Sequence, residues 1–314
     1  MRVLIVGCGY VGLKLGADLA ALGHAVSGVR RSADGAAEVA AADLTPLVAD
    51  VTQPESLRRL PTGWDWVVNC AASGGGDAEA YRKVYLEGTR NLISWLTDSP
   101  LRKFVYTGST GVYGQNDGGW VDETMPAEPA AETGVVLRAT EELLLAAVRE
   151  VGFPAVPLRV AGIYGPGRGY FFRQFVKGEA RIEGDGRRHI NMVHRDDVAG
   201  AVIAALDRGV PGQIYNVVDS EPVPQVEMFA WLAAALGQPM PPFVAVDPNL
   251  QRRRAATDKR ISNRRLREEL GYVLRFPTFR EGYAGEVRGK SEVRNPKSEG
   301  SPKSQSRTES APGA

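Results

Sequence analysis

Three glycines, Gly7, Gly9 and Gly12, stand in the run VLIVGCGYVG with Tyr10 and Val11 between the second and third. This is the spacing of a loop that holds a dinucleotide pyrophosphate. The first glycine makes a tight turn, the second lets phosphate approach the backbone, and the third lets a helix pack on a strand. Amides opening the following helix would face the phosphates, and the helix dipole favours negative charge there. The loop follows an apolar run and begins a helical pattern, the context in which such a motif carries weight.

The end of the second apolar run reports on the cofactor. NAD sites carry an acid there to hold the ribose hydroxyls, whereas an arginine accommodates a 2′-phosphate. The chain has SGVRRSADG, with Arg30, Arg31 and Ser32 at that point. Two guanidiniums suit a phosphate dianion through charge-assisted bonds, so NADP is expected in preference to NAD. Asp50, with Val51 beside it, ends the third run, where a carboxylate could accept from an adenine amino group. Ala71 and Ala72 end the fourth, where small side chains let a cofactor lie close.

The elements that must position these residues are legible as alternation. RVLIVG, AVSGVRR, LVADV, WDWVVNCAA, KFVYTGS and AVPLRVAGIYG read as strands, separated by helical patterns such as VGLKLGADLAAL and YLEGTRNLISWL. Continuous apolar strands joined by helices imply an α/β fold whose parallel sheet is covered on both faces. Right-handed crossovers make it a doubly wound, Rossmann-like sheet. After Gly165 the texture changes to Gly- and Arg-rich loop, short helix and strand, which reads as a smaller C-terminal substrate lobe. The expected division is 1–164 plus about 190–219 for cofactor binding and about 165–189 plus 220–284 for the substrate lobe, with 285–314 a disordered tail of Ser, Lys, Glu, Pro and Arg.

Composition narrows the class. The formal net charge of the 314 residues is +1, from 38 basic and 37 acidic side chains, so nothing marks a nucleic-acid or membrane-surface binder. No apolar run reaches the length of a membrane span, and the N-terminal run lacks a signal-peptide cleavage site. Two cysteines, Cys8 and Cys70, are no disulfide framework. The reading is a cytoplasmic protein with a small-molecule substrate and no metal site.

Taken in order, GCGYVG, ADVTQPESL, LEGTRNL, FVYTGSTGVYG, DET, LRVAGIYGPGR, MVHRDDVAGAV and YNVVD give the chain a resemblance to the extended short-chain dehydrogenase/reductases, of the NAD-dependent epimerase/dehydratase kind. The C-terminal KRISNRRLREELGYVLRFPTFREGY resembles the end of that family's smaller lobe. The resemblance implies a substrate held between two lobes beside a nicotinamide. It also implies a serine that orients the substrate oxygen, and a tyrosine that trades a proton with help from a lysine. Ser109 matches the serine. Family dimers, built through two helices packed as a bundle, imply a homodimer using YLEGTRNLISWL and the TEELLL helix.

The tyrosine and lysine are missing. Counted from Ser109, Gly134 takes the tyrosine position and Arg138 the lysine position, with Glu142 matching an acid that follows; Tyr85 stands where the family has an asparagine. A guanidinium keeps its charge at any relevant pH and cannot itself trade the proton, though Arg138 could hold an anionic oxygen or a ribose. Tyr113, in the loop of Ser109, is the candidate acid, with Tyr85, His194 or a water in the space left by Gly134 as alternatives. The expected function is an NAD(P)-dependent oxidoreductase or epimerase-like enzyme acting on a small or sugar-nucleotide-like carbonyl or hydroxyl substrate. The alternative is a catalytically weak NADP-binding redox sensor or interaction protein.

Overall fold

The apolar runs become strands because almost nothing else could satisfy them. In the computed structural model, which describes residues 1–247 and 257–294, strand β1 (Arg2–Val6) is buried from Val3 onward, and β7 (Ala155–Val160) along its whole length. A strand with both faces buried must lie inside a sheet with helices on either side. β1 pairs in parallel with β2 (Ala25–Arg30) and with β4 (Trp66–Asn69). The sheet has seven strands in the order β12-β7-β5-β4-β1-β2-β3, where β3 is Thr45–Val48, β5 Lys103–Ser109 and β12 Tyr215–Val217. All its pairings are parallel. Strand order reverses between β1 and β4, which opens a crevice at the carboxyl ends of the strands. The loops after β1, β2, β4 and β5 all leave the sheet at that edge, carrying the glycine run, Arg30, Ala71 and Ser109.

Helix α1 (Tyr10–Ala21) follows the glycine run, and α6 (Glu132–Val151) covers the other side of the sheet. Val136, Leu137, Thr140, Glu141, Leu144 and Ala147 form the buried face of α6, at the three- and four-residue spacing of one helical stripe. Glu141 sits on that stripe because it meets Arg159 of β7, a bidentate pair at 2.7 and 3.1 Å with both side chains almost wholly buried. Helix α8 (Arg195–Arg208) begins with another buried acid, Asp197. It accepts the Tyr272 hydroxyl at 2.8 Å and the backbone amides of Arg275 and Phe276 at 2.7 and 3.0 Å. Asp197 of RDDVAG therefore fastens the C-terminal segment, while Asp196, paired with Arg195, stays at the helix start where the dipole favours it.

The smaller lobe has a separate aromatic core. Phe172 and Phe175 of α7 (Tyr170–Val176) and Phe229 of α9 (Gln225–Leu236) pack with Tyr164, Phe279 and Tyr283. Phe279 and Tyr283 begin the last described helix, Phe279–Arg294, and are fully buried. The structureless tail expected from residue 285 is corrected accordingly. Two aromatic anchors hold the first turns, and the helix continues ten residues into that segment; residues beyond 294 lie outside those described. Strand β3 also ends earlier than LVADV suggests. Asp50 turns the chain out of the sheet by accepting both the Thr52 amide and hydroxyl at 2.9 Å. Among the described residues no helix is long and apolar enough to cross a membrane, and no cluster of three metal-ligating side chains occurs.

Candidate active site

The glycine run is shaped by its neighbours. Gly7 has φ +79°, and a Cβ there would lie 2.5 Å from the backbone of Ala71, so no other residue fits. The Gly7 and Cys8 amides both donate to the Val29 carbonyl, at 3.1 and 3.0 Å, which closes the turn onto β2. No side chain caps α1, so its opening amides are left for a ligand at the crevice. Val11 lies along the first turn. Tyr10 reaches across to the segment after β7, donating its hydroxyl to the Pro166 carbonyl at 3.2 Å, and the Arg168 and Arg195 guanidiniums lie over its ring at 5.0 and 5.1 Å.

Of the β2-end residues, Arg30 is the one built into the loop. Its Nη1 donates to the Cys8 carbonyl at 3.1 Å and pairs with Glu38 at 3.0 Å. The same nitrogen stands 3.3 Å from where a Cβ on Gly9 would be. Arg31 is exposed, and Ser32 caps the next helix, accepting the Gly35 amide at 3.2 Å. The Asp50 carboxylate is engaged by Thr52, and Val51 is buried beneath Gly88. Ala71 floors the turn at Gly7, while Ala72 is exposed. Bare backbone at Gly7, Gly9 and Ala71, uncapped amides and a guanidinium at the rim fit a dinucleotide phosphate.

Ser109 ends β5 at the same edge. Its Oγ accepts the Gly111 amide at 3.0 Å, which leaves its own O–H to donate. Tyr113 is turned the other way. It is 1% exposed, its hydroxyl donates to the Asn216 Oδ1 at 2.9 Å, and Arg159 lies over its ring at 4.7 Å. Burial raises the Tyr113 phenol despite the Arg159 charge, which weakens it further as an acid near neutral pH.

In helix α6, Arg138 is exposed and paired one turn on with the exposed Glu142, at 2.8 Å, whereas Leu137 takes the buried position beside it. The acid buried on this helix is thus Glu141, one residue before the acid chosen by counting. A Cβ on Gly134 would lie 2.6 Å from the Pro129 Cβ and 2.8 Å from the Gly111 carbonyl oxygen. Pro129 fills that direction, so the cleft gains no water-sized space there. Tyr85 is partly buried in a π-helical segment, Arg82–Glu87, and burial pushes its phenol up. His194 is 3% exposed and caps α8 through Nδ1, which accepts the Asp196 amide at 3.2 Å; burial lowers its pKa.

The model of the NAD dependent epimerase/dehydratase family matches residues 3–217. The chain belongs to this family. Protein YeeZ of Escherichia coli K12 is 29% identical over 284 residues, spanning 88% of this chain and 96% of that protein. A 3-beta-hydroxysteroid dehydrogenase of Mycolicibacterium neoaurum is 31% identical over 273 residues, spanning 76% of this chain and 71% of its own length. The structure of DesIV, a dTDP-glucose 4,6-dehydratase of Streptomyces venezuelae with NAD and TYD bound, aligns with a TM-score of 0.79 at 23% identity, over 94% of this chain and 98% of that one. That likeness is one of fold, the Rossmann-like sheet of the extended short-chain dehydrogenase/reductases.

One buried residue packed on the loop after Ser109 escaped the sequence reading altogether. Lys259 lies in the polar stretch TDKRISN, yet it is 6% exposed and donates to the Tyr113 carbonyl at 2.9 Å. Flanking residues alternate between polar and apolar without pattern, so no periodicity marks it as inward-facing. Glu141 did leave a signal, since helical phase from Leu137 and Leu144 places it on the buried stripe.

Proposed function

We propose that the protein is an NADP-dependent oxidoreductase or epimerase-like enzyme of the extended short-chain dehydrogenase/reductase type, acting on the carbonyl or hydroxyl of a small or sugar-nucleotide-like substrate. The observation that carries this reading is Arg30, whose Nη1 lies 3.1 Å from the Cys8 carbonyl at the rim of the glycine loop, where an NAD site would place an acid. Gly7, Gly9, Gly12 and the first amides of α1 would hold the pyrophosphate, Ala71 would leave room beside it, and Arg30 with Arg31 would meet the 2′-phosphate. A bound nicotinamide supplies hydride chemistry. Ser109, with its O–H unspent, would orient the substrate oxygen at the carboxyl edge of β5. A homodimer would form through α6 and the helix before β5, where Val135 on α6 is 54% exposed.

A second reading, a catalytically weak NADP-binding sensor, is favoured by the engagement of Tyr113 with Asn216 and of Arg138 with Glu142. One experiment separates the two. NADPH and NADH are titrated against the purified protein by fluorescence, and oxidation of NADPH is then followed with a panel of sugar nucleotides, aldehydes and ketones. The enzyme reading expects preferential NADPH binding and turnover of at least one substrate class. Tight binding without turnover selects the sensor, and NADH binding at least as tightly as NADPH removes the 2′-phosphate assignment.

A further inference from the structure

A tight turn after β7 brings an arginine to the mouth of a cavity. The Gly165 amide donates to the Arg168 carbonyl at 3.0 Å, and the Arg168 amide returns the bond at 2.8 Å. Between them Gly167 has φ +70°, the conformation that a turn with proline before glycine requires. Tyr10 holds the turn from the other side, through the Pro166 carbonyl and the Arg168 guanidinium over its ring. The cavity, of about 330 Å³, lies between this turn, α7 and the last described helix. That is the small end of the range of ligand pockets, about 300–1,000 Å³.

Helix α7 lines the cavity with two adjacent stripes. Phe172 and Val176, one turn apart, form the apolar wall, and both belong with the smaller aromatic core. Arg173 and Lys177, also one turn apart, stand beside them and are exposed. Like charges at this spacing repel each other, and an anion held between them relieves the repulsion. With Arg168, three cations surround the opening, and none of them pairs with a carboxylate among the described residues. The acid in the lining is Glu286, whose Oε1 is buried without a hydrogen-bond partner.

An apolar wall below a cationic mouth suits a molecule with both characters. Guanidinium and ammonium groups bind a carboxylate through charge-assisted hydrogen bonds, and Phe172 and Val176 gain from covering hydrocarbon. Glu286 repels a phosphate dianion more than a carboxylate monoanion, and a bare phosphate leaves the apolar wall wet. We propose that this cavity binds a small carboxylate with an apolar body, such as a medium-chain fatty acid. Its carboxylate would sit among Arg168, Arg173 and Lys177, and its chain along Phe172 and Val176. The lining shares no residue with the glycine run, Arg30 or Ser109. Octanoate and cofactor titrations therefore report on separate sites.

Calorimetric titration of the full-length protein tests this. Octanoate is expected to bind saturably at one site, with octanol and inorganic phosphate each weaker by about 10-fold or more. Absence of saturable octanoate binding overturns the proposal. So does octanol binding as tightly as octanoate, which removes the cations, or phosphate binding more tightly, which removes the apolar wall. Arg173→Glu reverses one exposed charge and is expected to weaken octanoate by about 10-fold or more. Arg149→Glu, the same change near the end of α6, is expected to leave affinity within about twofold. Equal losses in the two variants would reveal a diffuse charge effect and overturn the site. Val176→Phe fills the cavity and is expected to abolish octanoate binding at an unchanged melting temperature; retained binding places octanoate elsewhere and overturns the proposal. If that variant does not fold, the comparison of Arg173→Glu with Arg149→Glu still decides.

Discussion

The Arg30 guanidinium donates to the Cys8 carbonyl at 3.1 Å, so the end of β2 folds back across the glycine loop. Glu38 holds the same Nη1 at 3.0 Å from an exposed position, a pair that water screens. A phosphate arriving at the rim can therefore compete for the guanidinium. Arg30→Ala is expected to weaken NADPH by about 10–100-fold while changing NADH little, as befits one charge-assisted contact. Fluorescence titration of both cofactors checks it, and an equal loss for both would move Arg30 from 2′-phosphate recognition to loop architecture.

A tyrosine at position 134, the place counted from Ser109, should not fit. A Cβ at position 134 meets Pro129 at 2.6 Å and the Gly111 carbonyl at 2.8 Å. Gly134→Tyr is expected to destabilise the fold by about 1–3 kcal/mol through overpacking, without raising reductase activity. Urea denaturation together with the substrate panel decides the matter; a stable and more active variant would show that the loop yields.

The two adjacent glutamates of α6 should behave very differently. Glu141 receives the buried Arg159 at 2.7 Å, so Glu141→Ala strands a buried guanidinium and is expected to cost about 3–5 kcal/mol. Glu142 pairs with Arg138 on the surface, and Glu142→Ala should change stability by less than about 1 kcal/mol. Equal effects in denaturant titrations would contradict the assignment of Glu141 as the buried partner.

Lys259 should leave a signature in stability. Burial pulls its folded pKa down to about 8, below that of an exposed lysine, so between the two the unfolded chain binds more protons and stability rises with pH. The penalty is fully present below about 8 and disappears above ~10.4, an order-of-magnitude total of about 3 kcal/mol. Lys259→Met should flatten that rise between pH 8 and 10. A parent protein whose melting temperature follows that of the variant throughout this range would argue against a depressed lysine.

The apolar runs and glycine spacing were enough to read the sheet, its parallel sense and the tight turn at Gly7. Those features depend on local period and on backbone conformation that a few residue types dictate, as at Gly7. Helical phase carries the signal for Glu141, but counting from Ser109 picks Glu142, and the buried acid went unread. The helix that runs to Arg294 was missed because its anchors, Phe279 and Tyr283, find their partners in the smaller aromatic core, far away in sequence.

Sequence alone therefore determined that this is a Rossmann-like member of the NAD dependent epimerase/dehydratase family with a glycine-rich turn after its first strand. Tertiary structure decided how the polar groups are partnered. It turned Tyr113 toward Asn216, set Arg138 on the surface, closed the space at Gly134 and brought Lys259 to the Tyr113 carbonyl across 146 residues. Burial and partners of this kind are set by segments distant along the chain, and no local pattern encodes them.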